Sequence, residues 1–276
     1  MNLVAQGPAM TGDEAFELAR LSGAGGFQQI GDHAFRFRNA QRELAIEAWC
    51  AARRVDHAWM PEGRRFADLK LVAMDMDSTL ITMETIDELG DCVGRKPEIA
   101  AITAQAMRGE IDYPESLRRR VLLLEGLDVS ALQKVYDERL SLTPGAESLI
   151  AVCKRSGVKL LLVSGGFTFF TDRLKARLGL DYTISNTLEA KDGRLTGKLL
   201  GRIVDADAKA QKFLQVVSEL KTGKAQTVAI GDGANDLKMM AQAGLSVAFH
   251  AKPVVRAQAS CALTWSGLDG VVNLFE

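Results

Sequence analysis

Four short apolar runs limit the fold more than any other feature: KLVAMD (70–75), VKLLLVS (158–164), TVAIGD (227–232) and SVAFH (246–250). Each is too short for an ordinary helix, and its apolar residues follow one another without alternating with polar ones. Runs of this kind suit strands covered on both faces, as in a parallel sheet. Between and after them lie stretches of helical pattern: AESLIAVCKRSG, TDRLKARLGL, AKAQKFLQVVSELK and NDLKMMAQAGL. Strand alternating with helix predicts an α/β fold with a doubly wound parallel sheet. In LEAKDGRLTGKL (188–199) a DG pair separates two alternating stretches and predicts a hairpin.

Two regions break this rhythm. Residues 1–66 mix helix-like pieces (GDEAFELARL, AQRELAIEAWCAARR) with strand-like ones (HAFRFR, HAWM), which predicts a small N-terminal α+β unit. PEGRRFAD (61–68) is charged and carries Pro and Gly, as a linker would. Residues 83–142 are polar and helical, in four pieces: IDELGDCVG, PEIAAITAQAMRG, PESLRRRVLLL and SALQKVYDERL. An insertion of about 60 residues is too long for a plain connection. It reads as a helical cap over the end of the first strand, leaving 67–82 and 143–276 as the α/β core.

In open α/β sheets, ligands bind beyond the carboxyl ends of the strands. The first run is followed by Asp75 and Asp77, the second by Ser164, Gly165 and Gly166, and the third by Asp232, Asn235 and Asp236. Lys209 lies on the helical stretch between the second and third. Clustered carboxylates repel and raise one another's pKa unless a cation joins them. An all-oxygen set suits Mg²⁺ better than zinc. Glycines that admit backbone N–H groups, with a lysine nearby, suit a phosphoryl group. In such a site one aspartate can attack phosphorus while the other moves the proton. The period of two puts Asp75 and Asp77 on the same side if strand geometry persists that far.

In order and spacing, DMDST (75–79), Ser164, Lys209 and GDGAND (231–236) resemble the four motifs of the haloacid dehalogenase superfamily of phosphohydrolases. The similarity spans residues 70–276 and implies a Rossmann-like core with an inserted cap. Within that superfamily DMDSTLITMETIDELG, SLRRRV, VSGGFT and AIGDGANDLKM resemble the phosphoserine phosphatase family. That resemblance implies Mg²⁺-dependent hydrolysis of O-phosphoserine through an aspartyl-phosphate, the last step of serine biosynthesis. It implies Asp75 as nucleophile and Asp77 as acid/base. Mg²⁺ would sit on Asp75, the carbonyl of Asp77, and Asp232, with Asp236 in support. Ser164, Gly165 and Lys209 would hold phosphate, with Asn235 nearby. Glu84 would meet the substrate ammonium and Arg120 its carboxylate, with Arg118 as the alternative arginine. Tyr113, Met83 and Phe167 are candidates to line the pocket. A zwitterionic phosphate ester calls for this pairing of an anion with a guanidinium.

Other readings share part of this chemistry. A phosphotransferase would pass the phosphoryl group to another amino-acid hydroxyl, such as that of homoserine. A non-catalytic phosphoryl receiver would need neither an acid/base at Asp77 nor a cap. A sugar-phosphate phosphatase or mutase could carry a similar cap. The net charge of -1 argues against nucleic-acid or membrane partners driven by electrostatics. Cys50, Cys92, Cys153 and Cys261 have no metal-binding or CxxC spacing and read as reduced thiols of a cytoplasmic protein. No run reaches the about 18 apolar residues of a membrane span, and the N-terminus lacks the pattern of a signal peptide. For residues 1–66, a homodimer contact, a regulatory ligand site and support of the core are the expected options.

Overall fold

The computed structural model describes residues 1–276. The first elements are β1 (Asn2–Gln6), α1 (Gly12–Leu21), β2 (Gly26–Gly31), β3 (Ala34–Arg38), α2 (Leu44–Arg53) and β4 (Asp56–Met60). The strands make an antiparallel sheet ordered β2-β3-β1-β4, a split β-α-β arrangement. One face carries Leu3, Ala5, Phe35 and Phe37, which pack with Leu18, Ile46 and Trp49 of α1 and α2. The other face contributes Val4, Ala58 and Met60 to the large apolar cluster of the rest of the chain. The sequence predicts α1 to the residue, but β1 and β2 carry no strand signal strong enough to stand out. The solvent-facing GFQQIG of β2 has only two apolar side chains, Phe27 and Ile30, and glycine at both ends.

The following elements are β5 (Leu71–Met74), α3 (Thr85–Cys92), α4 (Lys96–Met107), α5 (Tyr113–Leu122), α6 (Ser130–Glu138), α7 (Ala146–Arg155), β6 (Lys159–Phe167), α8 (Thr168–Leu178), β7 (Tyr182–Lys191) and β8 (Arg194–Leu200). Then come α9 (Ala206–Glu219), β9 (Thr227–Gly231), α10 (Leu237–Met240), β10 (Leu245–Phe249), α11 (Pro253–Arg256), β11 (Cys261–Leu263) and α12 (Gly270–Asn273). The seven strands form one sheet ordered β11-β10-β9-β5-β6-β7-β8. All neighbours are parallel except the hairpin β7–β8. Asp192 and Gly193 turn that hairpin with positive φ at both positions (50° and 77°), which the DG pair permits.

Packing explains the unbroken apolar runs. In β5, Val72 and Met74 face one apolar cluster while Leu71 and Ala73 face another. In β6, Leu160 and Leu162 are likewise separated from Leu161 and Val163. With no face left for water, alternation would bury polar groups at a cost. Each buried Val or Leu contributes roughly 1.5–3 kcal/mol. Strand β11 and the first half of β7 escape sequence reading, since β11 has three residues and YTISNT mixes polar with apolar.

The order also fixes where a ligand can sit. From β5 the chain goes to β6 on one side, while β9 flanks β5 on the other. This change of direction opens a crevice at the carboxyl end of β5. The helices α3–α6 occupy the stretch between β5 and α7. The N-terminal sheet is tied to the far end of the chain. Asp56 accepts hydrogen bonds from the amides of Thr264, Trp265 and Ser266 at 2.7, 2.9 and 2.8 Å. Gln6 bonds to Gly270 and Asn273, and Phe66 meets Phe275 edge to face.

Candidate active site

Strand geometry ends at Met74, so the period of two does not carry through to Asp77. A wide turn takes over. The amides of Leu80 and Ile81 donate to the carbonyls of Asp75 and Met76, five residues back, at 3.3 and 3.0 Å. Ser78 sits inside the turn at φ 55°, in the left-handed region. The turn still brings both aspartates to one cavity of about 420 Å³. Glu84, Arg120, Gly165, Gly166, Asp232, Asn235, Tyr113 and Phe167 line the same cavity. Met83 is not among its walls and packs against the main apolar cluster.

Three carboxylates converge at the cavity, Asp75 and Asp232 in its wall and Asp236 behind them. Asp75, Asp232 and Asp236 offer oxygens that all lie within 4.8 Å of one another. Lys209, fully buried, places its Nζ 2.8 Å from Asp75 Oδ2 and 2.8 Å from Asp236 Oδ1. The amide of Gly233 donates to Asp236 Oδ2 at 3.2 Å, so this residue is held from both sides. Burial, then the charge of Asp236, pushes the Asp75 carboxyl well above its usual range, and Lys209 pulls the other way. Burial, Asp236 and Glu84 push Asp232 up to about 6. Burial lowers the Lys209 ammonium, but Asp236 and Asp75 more than offset it and hold it above its ordinary value. Three acids against one lysine leave negative charge in excess. A small hard cation fits this all-oxygen set.

Asp77 stands apart from that cluster. Its carboxylate accepts from the Thr85 amide at 3.3 Å and the Thr85 hydroxyl at 3.1 Å, where α3 begins. Burial, then the charge of Glu84, pushes its carboxyl well above the ordinary range.

The Ser164–Gly166 corner closes the other side. Ser164 is fully buried and its Oγ accepts from the Gly166 amide at 2.8 Å. A Cβ on Gly166 would lie 2.9 Å from Asp77 Oδ2 and 3.0 Å from Ser164 Oγ, so only glycine fits without displacement. Asn186 on β7 donates to the Gly165 carbonyl at 2.8 Å and accepts from the Val204 amide at 2.8 Å. Asn186 is a residue that sequence reasoning missed, and a lone Asn in a polar stretch gave no signal. Lys252 also lines the cavity. It follows the fourth apolar run, so the strand-end rule could have found it.

The arginines of SLRRRV separate by position on α5. Arg120 faces the cavity, Arg119 pairs with Glu115 at 2.7 Å, and Arg118 lines a different groove. Neither Glu84 nor Arg120 has an ion-pair partner. Glu84 Oε1 accepts from Ser78 Oγ at 2.7 Å, and Arg120 Nε approaches the Ser116 carbonyl at 3.4 Å.

Comparison with known proteins bears on the fold and the family. The sequence pattern of haloacid dehalogenase-like hydrolases matches residues 72–241. The chain is 54% identical over 217 residues to a phosphoserine phosphatase of Polaromonas sp. (strain JS666 / ATCC BAA-500), covering 77% of this chain and 92% of that protein. The crystal structure of a probable phosphoserine phosphatase from Vibrio cholerae, in unliganded form, superposes with a TM-score of 0.87 at 37% identity. That match covers 99% of this chain and 86% of the other, so it includes the N-terminal sheet. A phospho-aspartyl intermediate analogue of phosphoserine phosphatase matches with a TM-score of 0.71 at 38% identity, over 75% of this chain and 99% of its own. The chain therefore belongs to the haloacid dehalogenase-like hydrolases, in the branch formed by the phosphoserine phosphatases.

Proposed function

We propose that this chain hydrolyses O-phospho-L-serine to L-serine and phosphate, the last step of serine biosynthesis, through an aspartyl-phosphate on Asp75. One observation carries the substrate. The carboxylate of Glu84 and the guanidinium of Arg120, both without an ion-pair partner, share a cavity with Asp75 and Asp77. An amino acid brings an ammonium for the first and a carboxylate for the second, and a guanidinium can grip a carboxylate with two parallel bonds.

The steps follow from the positions. An oxygen of Asp75 attacks phosphorus, and the bond from phosphorus to the serine oxygen breaks. Asp77 donates its proton to that oxygen, a task that suits a carboxyl whose pKa is raised. Asp77 then accepts a proton from water as the water oxygen attacks phosphorus, and phosphate leaves Asp75 free. Ser164 and the Gly165 backbone hold the phosphoryl oxygens, with Asn235 nearby. Lys209 supports this from beneath, by fixing Asp75 and Asp236. Asp75, the Asp77 carbonyl and Asp232, with Asp236 in support, would hold Mg²⁺, which would supply the positive charge that this acid cluster lacks. Residues 83–142 act as a cap that brings Glu84 and Arg120 over the core formed by 67–82 and 143–276, and closure excludes competing water.

The reading extends to the setting of the enzyme. No helix is long and apolar enough to cross a membrane. The four free cysteines suit a reducing cytoplasm. Strand β2 ends the N-terminal sheet with the uncharged edge GFQQIG, on which a second copy can pair to give a homodimer. A light-scattering mass near twice 29.9 kDa supports that assembly, and the monomer mass rejects it.

A panel of phosphorylated amino acids and sugar phosphates with Mg²⁺ tests the function. Phosphate release is fastest from O-phospho-L-serine and absent in Asp75→Asn. Faster release from a sugar phosphate, or transfer to homoserine in place of release, rejects the reading.

A further inference from the structure

We propose that Ser78 is a positioning residue for ammonium recognition: its hydroxyl holds the Glu84 carboxylate away from its own helix and at the cavity. The inference rests on the phosphoserine reading and adds a residue outside the acid and phosphate contacts of the site.

Two observations support it. Glu84 occupies the N-cap position of α3. Here it makes no capping bond. Its one side-chain partner is Ser78 Oγ, at 2.7 Å to Oε1, which leaves Oε2 without a hydrogen bond. The amide of Thr85 next to it is given to Asp77 instead.

The second observation is conformational. Ser78 lies at φ 55° and ψ 6°, which costs a residue with a side chain more than it costs glycine. Glycine would fit the turn more easily but could not donate to Glu84. The same residue closes the loop through its backbone, its amide donating to the Met83 carbonyl at 3.2 Å. Ser78 thus joins the loop that carries Asp75 and Asp77 to the start of α3. Strain retained at a site, with a specific bond made from the strained residue, points to a role for that bond.

Ser78→Ala and Ser78→Gly separate the hydroxyl from the backbone. The assay compares O-phospho-L-serine with 3-(phosphonooxy)propanoate, the same ester without the amino group. Both variants should raise KM for O-phospho-L-serine by about five- to tenfold with kcat within about twofold. KM for the amino-free ester should stay unchanged, and in a Glu84→Gln background Ser78→Ala should bring no further rise. Ser78→Gly removes the strain, so it remains folded even if Ser78→Ala does not. If Ser78→Gly behaves as wild type, or if both esters suffer equally, the hydroxyl has no such role. If the wild type itself treats the two esters alike, ammonium recognition fails, and the phosphoserine reading falls with the proposal. If the wild type discriminates and the Ser78 variants discriminate to the same extent, the proposal alone is overturned.

Discussion

Lys209 Nζ lies 2.8 Å from Asp75 Oδ2, both side chains closed off from solvent, and the same ammonium reaches Asp236 at 2.8 Å. One cation therefore anchors both the proposed nucleophile and a carboxylate of the proposed metal cluster. Removing one partner of a buried pair leaves charge without compensation and costs about 3–5 kcal/mol. Lys209→Met should lose phosphatase activity and lower unfolding free energy by an amount in that range, measured by urea denaturation. A variant as stable as wild type would show that the pair carries no such load.

Asp232 sets a pH dependence. Its carboxyl is pushed up to about 6 by burial, then by Asp236 and Glu84. A group whose folded pKa is above its unfolded value binds the proton more tightly when folded. Its contribution is complete below the unfolded value of about 4 and is lost as pH rises through 6. In chelator, Asp232→Asn should match wild type below pH 4 and unfold at a higher temperature than wild type at pH 8. With Mg²⁺, which requires the ionised carboxylate, wild type should become the more stable of the two at pH 8. Thermal unfolding across that range, with and without Mg²⁺, checks both signs.

Arg118 and Arg120 stand two positions apart on α5 and line different cavities. Arg120→Ala should raise KM for O-phospho-L-serine by about 10- to 100-fold, the loss of hydrogen bonds between charged groups. Arg118→Ala should leave KM and kcat at wild-type values. Steady-state kinetics of the two variants decide which arginine meets the carboxylate.

Residues 1–60 provide no wall of the cavity, yet Val4, Ala58 and Met60 share the main apolar cluster and Asp56 caps three amides of the C-terminal segment. Deleting them should lower the unfolding temperature and expose apolar surface, read by dye binding, while kcat per folded molecule stays near wild type. An unchanged unfolding temperature would remove the supporting role of this sheet.

Asp77→Asn should slow both the transfer of the phosphoryl group to Asp75 and its release, with kcat down by about 10²- to 10⁴-fold. Acid quench with labelled substrate should find phosphoryl-enzyme forming slowly, in contrast to Asp75→Asn, which should form none.

Much of this was legible in sequence because the signals are local. Unbroken apolar runs follow from burial of both faces, as Leu71 and Val72 show by entering different clusters. A strand-end rule then finds Asp75, Ser164 and Asp232, since parallel strands align their carboxyl ends. The helices of the insertion show in their own periodicity. Local sequence pattern suffices for the doubly wound core, the carboxylates and glycines that follow its strands, and the DG hairpin. Only tertiary packing set which side of α5 faces the cavity, with Arg120 in its wall and Arg118 in another groove. It also decided that Lys209 grips Asp75 and Asp236, that Asn186 braces Gly165, and that Ser78 turns Glu84 from its helix. Each of these depends on distances between residues far apart in sequence or on a single positive φ, and neither leaves a periodic trace in a chain of amino acids.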